Sequence, residues 1–235
     1  MSPEPVSGTL EPGQVRAMFD RIAGVYDLMN GVMTAGMHHR WRARAIELAA
    51  IGPGDRVLDV ATGTGDLAAA ALVAVAPDGE VVGVDFAPEM LARAQAKVAG
   101  AQFAVADALA LPYGDNEFDA ATVGFGARNF ADLERGLAEL VRVVKPGGRV
   151  VILELTQPAR EPLASFYRAW FDRIVPALGT LAGDRAAYSY LPSSVRRFPA
   201  PAELARLMAD AGLERIRYVL TAGGIIAIHV GTVGS

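Results

Sequence analysis

Short apolar runs alternate with helix-forming segments through the middle of this chain, and that alternation limits its folding more than any other feature. Val57-Leu58-Asp59-Val60 reads as a buried strand, and Gly63-Thr64-Gly65 leads from it into an alanine-rich helix over 66–75. Pro77-Asp78-Gly79 stops that helix, a second strand covers 81–85, and Pro88 suits the first turn of the next helix. Further strands are expected at 102–105, 118–123 and 149–155. A helix over 132–144 carries Leu133, Leu137, Leu140, Val141 and Val144 on one face. The pattern predicts a parallel, doubly wound α/β sheet. Two late strands, 215–220 and 225–230, are joined through Ala222-Gly223-Gly224, too short a link for a helical crossover. The last strand should therefore run antiparallel, at the edge of the sheet.

The expectation is one domain over 13–235 with seven mostly parallel strands, preceded by a disordered tail over 1–12. Two segments fall outside the alternation. Residues 13–50 read as a helical cap, broken near Asn30-Gly31 and at Gly36. Residues 160–200 have helical spacing but are rich in aromatics: Phe166, Tyr167, Trp170, Phe171, Tyr188 and Tyr190. That segment suits a lid over an apolar ligand, with extra core cover or a homodimer contact as the alternative.

Composition narrows the chemistry. With no cysteine, thiol nucleophiles and cysteine-held metals are excluded, and three histidines make a histidine metal cluster a poor expectation. A formal charge of −4 disfavours nucleic acid, whose phosphates need a basic surface. The N-terminus lacks the order of a signal peptide, and no apolar stretch has the length of a membrane span, so a cytoplasmic protein is expected.

The glycine loop carries most of the functional information. Gly63-Thr64-Gly65-Asp66-Leu67-Ala68 meets the G-x-G-x-x-A nucleotide fingerprint, and Asp85 follows about 20 positions on. By itself this does not separate a dinucleotide from S-adenosyl-L-methionine, since both present a ribose diol to that carboxylate. Three features favour the methyl donor. Asp59 and Asp66 flank the loop and would repel a pyrophosphate at this helix N-terminus while suiting an amino group and a sulfonium. Asp107 and Ala108 follow the third strand, at the ligand end of the sheet, where Asp107 can accept from an adenine amino group. The reversed last strand is the third. Asp59 has a structural reading as well, as an acid that ties down the loop, and Asp66 one as a helix-start residue.

Several pieces are more distinctive. They are Phe19-Asp20-Arg21-Ile22-Ala23, Tyr26-Asp27-Leu28-Met29-Asn30, Gly36-Met37-His38 with Trp41, the stretch from Asp59 to Asp66, Gly126-Ala127-Arg128-Asn129, and Tyr188-Ser189-Tyr190-Leu191-Pro192-Ser193-Ser194-Val195. In these the chain resembles the ubiquinone/menaquinone biosynthesis C-methyltransferase family, from about Val15 to the last strand. The resemblance implies methylation of a ring carbon of a prenylated quinol, with demethylmenaquinol the nearest match. It places cofactor-binding positions on Thr62, Asp85, Asp107 and Ala108, beside Gly63 and Gly65. A position that is usually serine in the family is Gly124 here, which removes a side-chain contact but leaves a backbone one.

For methyl transfer to carbon, a base that takes the quinol proton would help. Arg128 and Asn129, after the fourth strand, are candidates to hold the quinol oxygens, and an arginine would favour the phenolate. Tyr26, Asp27 and Asn30 are expected to close over the cofactor. His38 is a candidate proton acceptor, with packing beside Trp41 as the alternative; His39 and His229 are expected at the surface and in strand packing. A prenyl tail would bring the chain transiently to a membrane surface at the inner face. The rival readings are a methyltransferase for another aromatic or lipid acceptor, an NAD-dependent oxidoreductase, and a non-catalytic S-adenosylmethionine-binding or assembly protein.

Overall fold

Alternate side chains of the central strands enter two different cores, as the two-residue period of a strand requires when both faces are covered. The computed structural model describes residues 11–34, 36–174 and 185–234. In β1 (Arg56–Val60), Val57 packs on one side of the sheet and Leu58 and Val60 on the other. In β5 (Val144–Leu155), Val151 and Leu153 share the face of Val57, while Val150 and Ile152 share that of Leu58. The first face is covered by α3 (His38–Ala49) and α4 (Asp66–Val75). The second is covered by α6 (Leu133–Val143) and α9 (Pro201–Asp210).

The other strands are β2 (Glu80–Asp85), β3 (Gln102–Val105), β4 (Phe118–Gly124), β6 (Leu213–Thr221) and β7 (Ile226–Val233). Their order across the sheet is β3-β2-β1-β4-β5-β7-β6. Pairs from β3 to β5 are parallel, and β7 runs antiparallel to both β5 and β6. The strand order reverses between β1 and β4, so their carboxyl ends diverge and open the crevice in which ligands of such sheets bind.

The reversed strand is as expected, but its position is not. β7 lies inside the sheet and β6 forms the edge, because the Ala222–Gly224 turn folds the last strand back between β6 and β5. A second difference concerns the N-terminal helices, α1 (Pro12–Ile22), α2 (Tyr26–Thr34) and α3. The expected break at Asn30-Gly31 is absent, and the chain turns at Ala23–Val25 instead. One glycine costs a helix only about 1 kcal/mol, which Met29 and Met33 offset by packing beside α1. The break at Gly36 does occur, with φ +74°. The expected 145–148 turn becomes part of β5, with a register shift against β4 between Phe118 and Ala120.

A third cluster joins α1 to α5 (Pro88–Lys97): Val15, Met18 and Ile22 pack on Ala87 and Met90. Trp170, Tyr190 and Leu191 complete it. They come from the aromatic segment, which forms α7 (Leu163–Ala169), a π-helical turn at Trp170–Ile174 and α8 (Arg185–Arg197). Most of the expected 1–12 tail and the Tyr188 side chain lie outside the described residues. No described helix is long and apolar enough to cross a membrane.

Candidate active site

The turn after β1 is built to leave backbone bare. Gly65, at φ +82°, caps α4; a Cβ there would lie 3.1 Å from Val98 and 3.2 Å from Ala94. Gly63, at φ +56°, would carry its Cβ into open space, which leaves the loop accessible to a ligand. Ala61 and Phe125 also take left-handed conformations, at φ +53° and +60°. They sit just beyond β1 and β4, where strained residues mark a functional crevice.

Carboxylates hold this loop from below and from the side. Asp59 is fully buried and accepts hydrogen bonds from the hydroxyls of Thr62 at 2.6 Å and Thr122 at 2.7 Å. Burial pushes its pKa up to about 6, against those two donors. Of its two readings the structure displays the loop-tying one, although the residue still borders the crevice. Asp85, at the end of β2, accepts from Gly63 N at 2.8 Å and Ala87 N at 2.9 Å. Burial raises its pKa despite these donors. Asp107 is exposed and accepts from Leu109 N at 2.9 Å, which shapes the turn that follows β3.

A crevice of about 550 Å³ gathers six of the seven expected cofactor residues: Asp59, Thr62, Gly63, Asp85, Asp107 and Ala108. Gly65 itself acts behind the wall, as the helix cap. Gly124 also lines the crevice, and a Cβ on it would meet Leu67 at 3.0 Å, so the missing serine side chain is replaced by packing. Beside it lies a second, apolar chamber of about 350 Å³. Phe19, Tyr26, Arg42 and Phe125 border both. Tyr26, expected to close over the cofactor, stands between the compartments. Asn129 faces the crevice and accepts from the Tyr190 hydroxyl at 3.2 Å, whereas Arg128 and His38 face the chamber.

Arg128 is more internally committed than its sequence suggests. Its Nη1 donates to Glu154 Oε1 at 2.6 Å and to the Phe125 carbonyl at 2.5 Å. Glu154 Oε1 also accepts from Leu155 N at 2.8 Å, and its side chain is only 1% exposed. Burial opposes the charge on Arg128, but Glu154, together with Tyr26 and Tyr190, more than offsets it and holds the guanidinium above its ordinary pKa. Arg128 is thus a fixed positive charge beside the chamber.

The cover over the crevice is also tied by charge. Asp27 of α2 accepts from Thr64 Oγ1 of the glycine loop at 2.5 Å and from Lys97 of α5 at 2.8 Å. Asp66 pairs with Arg42 of α3 at 3.0 Å and with Lys97. Burial works to raise the pKa of Asp66, but these two cations bring it below the usual range. Asp66 is therefore a structural ion-pair residue. Arg42, Lys97, Thr122 and Glu154 escaped the sequence reading. Glu154 had a signal, as the lone charge near the end of the apolar run Val150–Leu155, and Lys97 another, as one of two lysines in the chain. Among the described residues no group of three or more metal-type ligands occurs.

The sheet with its reversed β7, the bare glycine turn and the acid at the end of β2 define the S-adenosylmethionine-dependent methyltransferase fold. A methyltransferase of this class from Aquifex aeolicus superimposes with a TM-score of 0.62 at 17% identity, covering 96% of this chain and 100% of the other. The chain belongs to the ubiE/COQ5 methyltransferase family, which it matches over residues 8–233. It is 51% identical to the demethylmenaquinone methyltransferase of Thermus thermophilus, across 91% of this chain and 99% of the relative. It is 40% identical to the ubiquinone/menaquinone biosynthesis C-methyltransferase UbiE of Teredinibacter turnerae, across 97% and 95%.

Proposed function

We propose that this chain moves a methyl group from S-adenosylmethionine to a ring carbon of a prenylated quinol, converting demethylmenaquinol to menaquinol. The observation that carries this reading is the shared wall of the two cavities. A crevice edged by Asp85, Asp107 and the glycine loop, suited to an adenosyl amino acid, meets an apolar chamber across Tyr26 and Phe125. The relatives' names support the acceptor.

The residues present fit the donor. Asp85 spends two of its roughly four lone-pair sites on backbone N–H groups, leaving others for a ribose diol. Arg42 Nη1 is buried with no acceptor among the described residues, and a carboxylate would satisfy it. Asp107 and Ala108 stand where an adenine edge would lie, and Gly63 leaves room for close approach. When bound, S-adenosylmethionine supplies a methyl already activated by its sulfonium. What remains for the chain is alignment, exclusion of water and handling of protons. Arg128, held charged by Glu154, favours an ionised quinol oxygen in the chamber, and Asn129, fixed by Tyr190, offers a polar edge to the crevice.

The chamber wall from Met29 and Met33 round to Phe166 and Trp170 suits an isoprenoid tail. A quinol lacking its tail should therefore be used far less well, each buried CH₂ contributing about 0.8 kcal/mol. Equal kcat/KM for tailed and tailless quinols would remove the tail from the chamber. Leu28, Val32 and Met37, with Phe166, are exposed apolar side chains around it and form a surface for a lipid interface. The test is incubation with labelled S-adenosylmethionine and reduced demethylmenaquinone in lipid vesicles, followed by mass measurement of the lipid and flotation of the protein. Label on the lipid and co-flotation are expected. Cofactor binding without turnover would instead support a non-catalytic binding protein.

A further inference from the structure

We infer that His38 is the base that accepts the quinol hydroxyl proton, on its Nε2; this rests on the quinol reading above. The argument begins at Thr34, whose Oγ1 lies 2.7 Å from the Asn30 carbonyl and 2.7 Å from His38 Nδ1. A hydroxyl has one proton to donate, and a carbonyl can only accept. That proton therefore goes to Asn30, and Thr34 turns a lone pair toward the imidazole. Nδ1 must carry the ring proton, which leaves Nε2 as the bare acceptor of the neutral ring. Nε2 has no hydrogen-bond partner among the described residues, and His38 lines the apolar chamber. One nitrogen is thus fixed by the helix turn, and the ring that carries the other lines the space proposed for the acceptor.

The surroundings keep the ring neutral. Burial, then Arg42 one turn on and the neighbouring His39, pull His38 below its ordinary 6.5, against Asp66 at the start of α4 and Asp27 on α2. Arg128, paired with Glu154, lines the same chamber. In the step itself the quinol O–H bond breaks, its electron pair stays on oxygen, and the proton moves to Nε2. The resulting anion lies in a chamber lined by the imidazolium and by Arg128, whose charge is shared with Glu154. When the methylated ring carbon loses its own proton to water, Nε2 returns the first proton to oxygen, and His38 is neutral again. One proton is released per methyl transferred.

The test compares the parent with His38→Ala and Thr34→Val, each carrying bound S-adenosylmethionine. His38→Ala should lose about 100- to 1,000-fold in kcat, within the range for positioned general bases. Its affinity for S-adenosylmethionine by calorimetry should stay within about twofold, since His38 does not border the crevice. The parent's kcat should fall on acidification, at a pH below the ordinary histidine range, as Nε2 is protonated; the variant should lack that acid limb and regain part of its rate with added imidazole. Nitrogen-15 spectra should show the parent ring protonated at Nδ1, and Thr34→Val should mix the tautomers. A His38→Ala rate equal to the parent's, or a parent ring protonated at Nε2, would overturn the assignment. Failure of the parent to methylate the quinol would instead remove the quinol reading and the base with it.

Discussion

A Glu154→Ala variant is expected to lose about 3–5 kcal/mol of stability, because it strands a buried guanidinium. Arg128 and Glu154 side chains are only 7% and 1% exposed, so water cannot replace the lost carboxylate. Against a typical total of about 5–15 kcal/mol this is a large fraction, and the melting midpoint should fall by about 6–20 °C for a chain of this size. Glu154→Gln keeps a hydrogen-bond acceptor without the charge and should lose less. The decisive arm is the double variant Arg128→Met with Glu154→Leu. Removing both charges should recover most of the lost stability, yet methyl transfer should remain impaired, because the chamber would no longer hold its fixed cation. Thermal melts of all four proteins measure this. An alanine variant that melts with the parent would show that the pair is not desolvated.

Replacing Asp85 with alanine should weaken S-adenosylmethionine binding about 10- to 150-fold, the equivalent of one charged hydrogen bond of about 1.5–3 kcal/mol. The structure adds a second consequence. Asp85 also accepts from Gly63 N and Ala87 N, so the glycine turn loses its lateral support along with the ribose contact. Calorimetry should therefore report weaker binding, and melts without cofactor a modest loss of stability. Unchanged affinity would remove Asp85 from the ribose site. A lowered midpoint with intact affinity would reduce it to a support for the loop.

Most of the sheet was legible because its strands are short apolar runs bounded by turns, and because a three-residue link between the last two can only form a hairpin. The insertion of β7 between β5 and β6 was not legible, since strand order depends on pairing across more than 70 residues, from Val151 to Val230. The same division runs through the site. The glycine loop, Asp85 and Asp107 are local in sequence and stood out. Arg42, Glu154 and Thr122 act through partners 24, 26 and 63 positions away (Asp66, Arg128 and Asp59), and no local pattern announces such pairs. Arg128 is the instructive case. Its position at the end of β4 was readable, but its commitment to Glu154 was not. His38 gained meaning only when Thr34 and Asn30 were seen on the preceding helix.

The place of β7 has a consequence for the order of assembly. Among the described residues β6 hydrogen-bonds to no strand except β7, so it cannot join the sheet until the later strand has been laid against β5. Until then the long flank of β5, buried in the finished molecule, stands open as an unpaired edge, the kind of surface on which chains stick to one another. The stretch from Ile226 is thus the one that seals the sheet, and a nascent chain stalled before it would be left with an open seam.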